Sequence, residues 1–176
     1  RLFIDTWRWA GVPFYLRAGK RLSASQTEIS IHFRPVPGHL FPASAGVPQP
    51  NVLVMRVQPN EGSHLRVNVK VPGRQLELGT AGMDFSYQTA FGPDRPDAYE
   101  RLLLDAIQGD PSLFIGQDEI EAAWRFIDPV LQTWRENDGP PLPAYAAGSD
   151  GPPEADAFIR EDGRVWRPLC VGACPW

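Results

Sequence analysis

In GVPFYLRAGKRL, residues 11–22, a short apolar run ends in three cations set around a glycine: Arg17, Lys20 and Arg21 flank Gly19. A lysine ammonium can donate three hydrogen bonds to sugar hydroxyls or phosphate oxygens, and an arginine adds a planar fork that fits a phosphate. A second candidate lies in MRVQPNEG, residues 55–62, where Arg56 and Gln58 are two positions apart on a strand end beside a turn. Side chains two apart on a strand share a face. If that strand end approaches Lys20, three polar donors converge. Spacing alone favours the plainer reading: a solvated charged strand end at Lys20, and cross-strand polar pairing at Arg56 and Gln58.

Other chemistries find less support. His32 and His64 fall on the polar faces of predicted strands and His39 in a loop. Each reads as a solvated or interface residue, because a catalytic base needs a positioned partner and the sequence offers none. No serine stands in a nucleophile-elbow pattern. Asp118, Glu119 and Glu121 open a helix, where acids favour the positive end of the dipole. Cys170 and Cys174, in the closing CVGACPW, form a C-x3-C pair without a nearby histidine and read as two thiols on a tail. No glycine-rich loop follows a strand and opens a helix, so no dinucleotide-binding unit is encoded.

These residues must be positioned by a chain of 176 residues, 43% hydrophobic, with six tryptophans and nine phenylalanines, enough for a real core. Net charge is −4, from 17 basic and 21 acidic residues, which gives no general reason to bind nucleic acid. Only two of the basic residues are lysines, Lys20 and Lys70. No apolar run reaches the ~18–20 residues that span a bilayer, and no signal peptide or oxidising context is evident, so cytoplasm is expected. The chain begins at Arg1 within an apparent pattern, RLFIDTWRW, and is expected to be a piece of a longer protein.

The first half alternates with period 2. VPFYL is a short strand, and TEISIHFR (residues 27–34) alternates Ile29, Ile31 and Phe33 with polar residues. Residues 51–58, 63–71 and 74–80 predict a three-strand antiparallel meander. In it Leu65, Val67, Val69 and Val71 point inward and His64, Arg66, Asn68 and Lys70 outward. Residues 34–50, rich in proline and glycine, predict a long surface loop. The second half switches to helical spacing. One helix runs from Pro96 to Gln108 and is capped by Gly109; another, from Asp118 to Glu136, is kinked or divided at Pro129. A short third helix follows the prolines of GPPEAD. Strands first and helices later give an α+β fold with a large, mostly antiparallel sheet and helices packed on one side.

Taken in order, RWAGVPFYLRAGK, NVLVMRVQPNEG, DAYERLLLDAIQGD, AWRFIDPVLQTW and GPPEAD resemble the C-terminal domain of glucose-6-phosphate dehydrogenase. The resemblance covers residues 1–169 as one substrate-side and dimerisation domain and leaves 170–176 as a tail. It implies oxidation of glucose 6-phosphate at C1 to 6-phosphogluconolactone with NADP, at the entry to the pentose phosphate pathway. It also implies an N-terminal coenzyme domain and a homodimer formed through the sheet, with no nucleic-acid or membrane partner. Part of the polar face of residues 63–80 would then be covered by the partner subunit.

The family's catalytic histidine motif is absent from this sequence, so the resemblance implies no catalytic residue here and no turnover by this chain alone. Lys20 matches a lysine that contacts substrate, and Gln58 a substrate-contacting glutamine of some members. A second substrate-binding cation is common five residues after the lysine; Ser25 stands there, with Arg21 as partial compensation. Some members hold a structural NADP through residues matching Arg17, Arg56 and Asp84. Other basic positions of that site are Gln26 and Ser30 here, so the donor count argues against a structural nucleotide. The competing expectation is a catalytically inactive assembly or regulatory domain of the same fold.

Overall fold

The alternating TEISIH becomes an edge strand of a four-stranded antiparallel sheet. The computed structural model describes residues 1–36, 41–73, 76–93, 98–136 and 142–169. These residues group into two compact units, Arg1–Ala90 with Pro143–Trp176, and Phe91–Leu142, within the stretch that the sequence reading treats as one domain.

In the first unit, β1 (Leu2–Phe3) and β2 (Pro13–Phe14) form a small antiparallel pair. The main sheet has the order β3 (Thr27–His32), β4 (Val52–Gln58), β5 (Gly62–Lys70) and β6 (Leu78–Ser86), each strand antiparallel to its sequence neighbour. The meander is as expected, but its third strand lies later than predicted, at 78–86 instead of 74–80. Residues 81–86 supply the pairing that extends β5 back to Gly62. Arg74 and Gln75, the start of the predicted strand, lie outside the described residues. Among the described residues of the loop from residue 34 to 50, Ala43–Ala45 form a 3-10 turn.

The register sorts the sheet into two faces. Glu28, Ser30, His32, Val52, Val54, Arg56, Gly62, His64, Arg66 and Asp84 share one. Ile29, Ile31, Leu53, Met55, Leu65, Met83 and Phe85 share the other. Around His64 the expected sense of the two faces is reversed, while Lys70 is exposed as expected. His64, expected outward and solvated, is 1% exposed, beside fully buried Val54, while Ile29 and Met83 on the apolar face are 53% and 56% exposed. Alternation of period 2 assigns residues to faces, but tertiary cover decides which face is wet. Gly82, opposite Arg66, makes room for the imidazole: a Cβ there would lie 2.4 Å from His64 Cε1.

A short helix α1 (Tyr87–Phe91) follows β6 directly. The second unit carries α2 (Ala98–Gln108) and α3 (Gln117–Glu136). α2 ends as expected in a left-handed Gly109, φ +72°, with Asp110 N–H bonded to the Asp105 carbonyl and Gly109 N–H to that of Ala106. This is the paired six-to-one and five-to-two closure of a helix end. Asp105, 3% exposed, accepts from Arg101 Nε one turn earlier at 3.0 Å. Pro129 does not divide α3, which runs through it as a single helix; the Thr133 hydroxyl donates to the Pro129 carbonyl at 2.8 Å. Back in the first unit, α4 (Pro153–Arg160) starts at the expected proline and buries Ile159.

Candidate functional site

Lys20 sits in the bend that leaves β2, and its side chain is exposed. Among the described residues no hydrogen bond or ion pair engages its ammonium. The backbone around it is held tightly by a segment distant in sequence. Tyr145 Oη donates to the Lys20 carbonyl at 2.9 Å. Gly148 N–H donates to the Arg21 carbonyl at 2.8 Å, and Ser23 N–H to the Ser149 carbonyl at 2.9 Å. The Ser23 hydroxyl also donates to the Asp150 carboxylate.

Gln58 is the last residue of β4 and pairs in register with Thr27, across a bulge at Thr27/Glu28. Ser25 is exposed and lies two positions before Thr27, so the segment carrying Lys20 and Ser25 enters the sheet beside Gln58. Ser25 and Gln58 therefore lie near one end of the sheet, at the start of β3 and the end of β4, and Lys20 stands five residues before Ser25 in the segment that leads there.

Arg17, Arg56 and Asp84 have different surroundings. Arg17 stacks its guanidinium 5.1 Å from the Trp166 ring centre and donates to the Arg167 carbonyl at 3.1 Å. Arg167 Nε is 3.0 Å from the Glu28 carboxylate, with both side chains 17% exposed. Glu28 is the register partner of Arg56. Arg56 reaches across Gly62 to the Phe85 carbonyl at 3.3 Å, and a Cβ on Gly62 would lie 3.0 Å from its Nη2 and 2.2 Å from that carbonyl oxygen. Asp84 accepts from His64 Nδ1 at 2.9 Å. Each of the three is thus engaged by other groups of the protein, and the Glu28 carboxylate stands between Arg167 and Arg56.

Of the three histidines, His64 is buried against Asp84. His32 is 3.1 Å from the Ser30 hydroxyl through Nε2. Burial holds its pKa below the ordinary histidine value, and the cations of Arg66, Arg167 and Arg164 push the same way. A neutral imidazole among arginines is a poor proton reservoir. His39, Cys170 and Cys174 lie outside the described residues. Among the described residues no three His, Cys, Asp or Glu gather as metal ligands would. No helix among them is long and apolar enough to cross a membrane.

The sequence reading missed Tyr145, which holds the Lys20 bend, Trp166 and Arg167, which occupy Arg17, and Glu28, which pairs with Arg167. Tyr145 sits in LPAYAAGSDG, a stretch without periodicity, so no pattern ties it to residue 20.

The family model for the C-terminal domain of glucose-6-phosphate dehydrogenase matches residues 1–167. The chain belongs to this family. The glucose-6-phosphate 1-dehydrogenase of Chlamydia pneumoniae is 50% identical over 169 residues, which are 94% of this chain and 33% of that protein. That of Mycolicibacterium smegmatis is 47% identical over 163 residues, 93% of this chain and 33% of the relative. A solved glucose-6-phosphate dehydrogenase in complex with its substrate glucose-6-phosphate superposes with a TM-score of 0.83 at 35% identity, over 94% of this chain and 34% of that one. The Mycobacterium avium glucose-6-phosphate 1-dehydrogenase gives 0.75 at 35% identity, over 96% of this chain and 34% of that one. This glucose-6-phosphate dehydrogenase C-terminal domain therefore spans about a third of the length of the relatives it matches.

Proposed function

We propose that this chain is the substrate-side domain of an NADP-dependent glucose-6-phosphate dehydrogenase, which oxidises C1 of glucose 6-phosphate to the lactone in the cytoplasm. The observation that carries the reading is Lys20: an exposed cation on a fixed backbone, in the segment that leads through Ser25 into β3 beside Gln58. Lys20 donates to the sugar phosphate. Gln58 adds amide hydrogen bonds to the same ligand, and the short hydroxyl of Ser25 borders it. Among the described residues no histidine bonds to any of the three, and the proton and hydride steps belong to the rest of the enzyme, which also binds the coenzyme. When bound, NADP supplies the hydride acceptor.

A second nucleotide is not part of this reading. Arg17 is held by Trp166 and the Arg167 carbonyl, Asp84 by His64, and Glu28 adds a negative charge beside Arg167. Those residues do not fit a structural NADP. The open apolar face of the sheet, with Ile29, Val57 and Met83 exposed, supports burial against other protein, either the coenzyme domain or a second copy in a homodimer.

The test is Lys20→Ala in the full-length enzyme. The change should lower kcat/KM for glucose 6-phosphate by about 1.5–3 kcal/mol, the scale of a charge-assisted hydrogen bond, and leave Tm unchanged. Unaltered kinetics remove Lys20 from the site. The departure at Ser25 favours a second reading, an inactive assembly domain, and a full-length protein that dimerises in light scattering yet turns over no substrate would establish it.

A further inference from the structure

The Lys20 bend is a strained piece of backbone. Arg21 has φ +57°, in the left-handed region that residues with a Cβ rarely adopt. Such a conformation persists only where surrounding contacts over-determine it. Among the described residues, the hydrogen bonds that hold the bend come from one stretch, residues 145–150. Gly148 N–H meets the Arg21 carbonyl, the Ser149 carbonyl meets Ser23 N–H, and Tyr145 Oη meets the Lys20 carbonyl itself. The backbone bonds fix the residues after Lys20; the tyrosine fixes its own peptide.

Gly19 completes the arrangement. A Cβ at this position would lie 2.8 Å from Tyr145 Oη and 3.1 Å from the Leu22 side chain. The glycine therefore lets the phenol reach over the chain to the next carbonyl. Any larger residue would push the hydroxyl off the oxygen it donates to. The sequence order Gly19-Lys20 is thus matched to a tyrosine that lies 125 residues away.

We propose that Tyr145 is a positioning residue for the sugar-phosphate ligand Lys20: its hydroxyl fixes the Lys20 peptide, and the flexible lysine stem starts from one defined point. This rests on the substrate role proposed for Lys20. A long side chain whose root is fixed has fewer orientations to lose on binding, so the hydroxyl acts on substrate affinity without touching substrate.

The experiment compares Tyr145→Phe, Lys20→Ala and the double variant in the full-length enzyme, with glucose 6-phosphate as the varied substrate. Tyr145→Phe should raise KM by about 3- to 10-fold, the range one ordinary hydrogen bond supplies, with kcat little changed. In the Lys20→Ala background the same change should have no further effect, because the group it positions is gone. An equal loss in both backgrounds would mean a merely structural role and overturn the proposal, as would unchanged KM in the single variant. If Lys20→Ala itself changes nothing, the substrate reading fails and the positioning role fails with it. If only Tyr145→Phe is silent, the substrate reading stands alone. Gly19→Ala approaches the same contact from the other side. It should reproduce the KM effect and lose most of it when combined with Tyr145→Phe, where the hydroxyl it displaces is absent.

Discussion

Lys20 and Arg17 are three residues apart, yet the protein uses their charges in opposite ways. At Lys20 the backbone is bound and the charge is left in solvent. At Arg17 the guanidinium itself is bound, by an indole face and a carbonyl, and the neighbouring Arg167 is neutralised by Glu28. Arg56 is likewise spent on the Phe85 carbonyl. A cation intended for a ligand must keep its donors free and lose little entropy on binding, so the fold restrains the main chain and leaves the tip alone. A cation intended for structure has its donors satisfied by its own protein. Counting basic residues does not separate the two cases; their partners do.

The sharpest way to break this comparison is Glu28→Ala. It would remove the Glu28 carboxylate from Arg167, which is mostly buried and close to Arg17. Removing one member of a largely buried pair should cost about 2–4 kcal/mol, read as a lower urea midpoint of the full-length enzyme. kcat/KM for glucose 6-phosphate, measured well below the transition, should stay within about twofold, since neither member of the pair bonds to Lys20. An unshifted midpoint would mean that these arginines are not structural, and the contrast with Lys20 would vanish.

The contrast also marks what the sequence could reveal. The alternation in TEISIH, the Gly109 cap and the proline start of α4 are local signals, and each is realised where the residues predicted it. The reversed faces were not legible. His64 sits on the nominally polar face, and its burial depends on contacts made far along the chain. Gly82, beside which it fits, is 18 residues on, and its partner Asp84 is 20. The start of β6 was misplaced because GTAG is poor in β-branched and aromatic residues, so pairing with β5, not propensity, extends the strand. At the candidate site, the motif around Lys20 was legible, but its support was not. Tyr145 and residues 148–150 lie in irregular chain, whose hydrogen bonds no periodicity predicts.

A smaller effect would sharpen the Lys20 side. Ser25 is exposed, five residues after Lys20, at the position where the resemblance implies a second cation. Ser25→Lys in the full-length enzyme should lower KM for glucose 6-phosphate by about 0.5–1 kcal/mol, roughly two- to fivefold, because a solvent-exposed charge is well screened. The gain should fade as salt is raised. A KM that does not move would mean that residue 25 does not border the phosphate, and that Lys20 works without a neighbour on that side.

The smallest effect concerns Asp162, which ties the start of the chain and β2's flank to the turn after α4. Its carboxylate accepts from Tyr15 Oη at 2.6 Å and from Arg1 Nη1 at 2.6 Å. The Tyr15 hydrogen bond, followed by that from Arg1, holds the Asp162 pKa below the ordinary carboxylate value, and the same bond to Asp162 pushes the Tyr15 phenol up. A depressed carboxylate stabilises the fold above its unfolded pKa, about 3.9, and the contribution is lost as pH falls through the lower folded value. A raised phenol works in the other direction: its contribution is present below about pH 10 and lost as pH rises through the folded value. Asp162→Asn should therefore destabilise the enzyme most between these limits. The difference from the parent protein should narrow at acid pH and again in alkali. Phenolate absorbance gives an independent reading, since the Tyr15 titration should move to lower pH in the variant. Tyr15 stands five residues before Lys20, so the same titration tests whether the two clamps act separately. Asp162→Asn should leave the KM for glucose 6-phosphate at neutral pH unchanged if the Tyr145 contact alone sets the lysine, and raise it if the β2 flank must also be held.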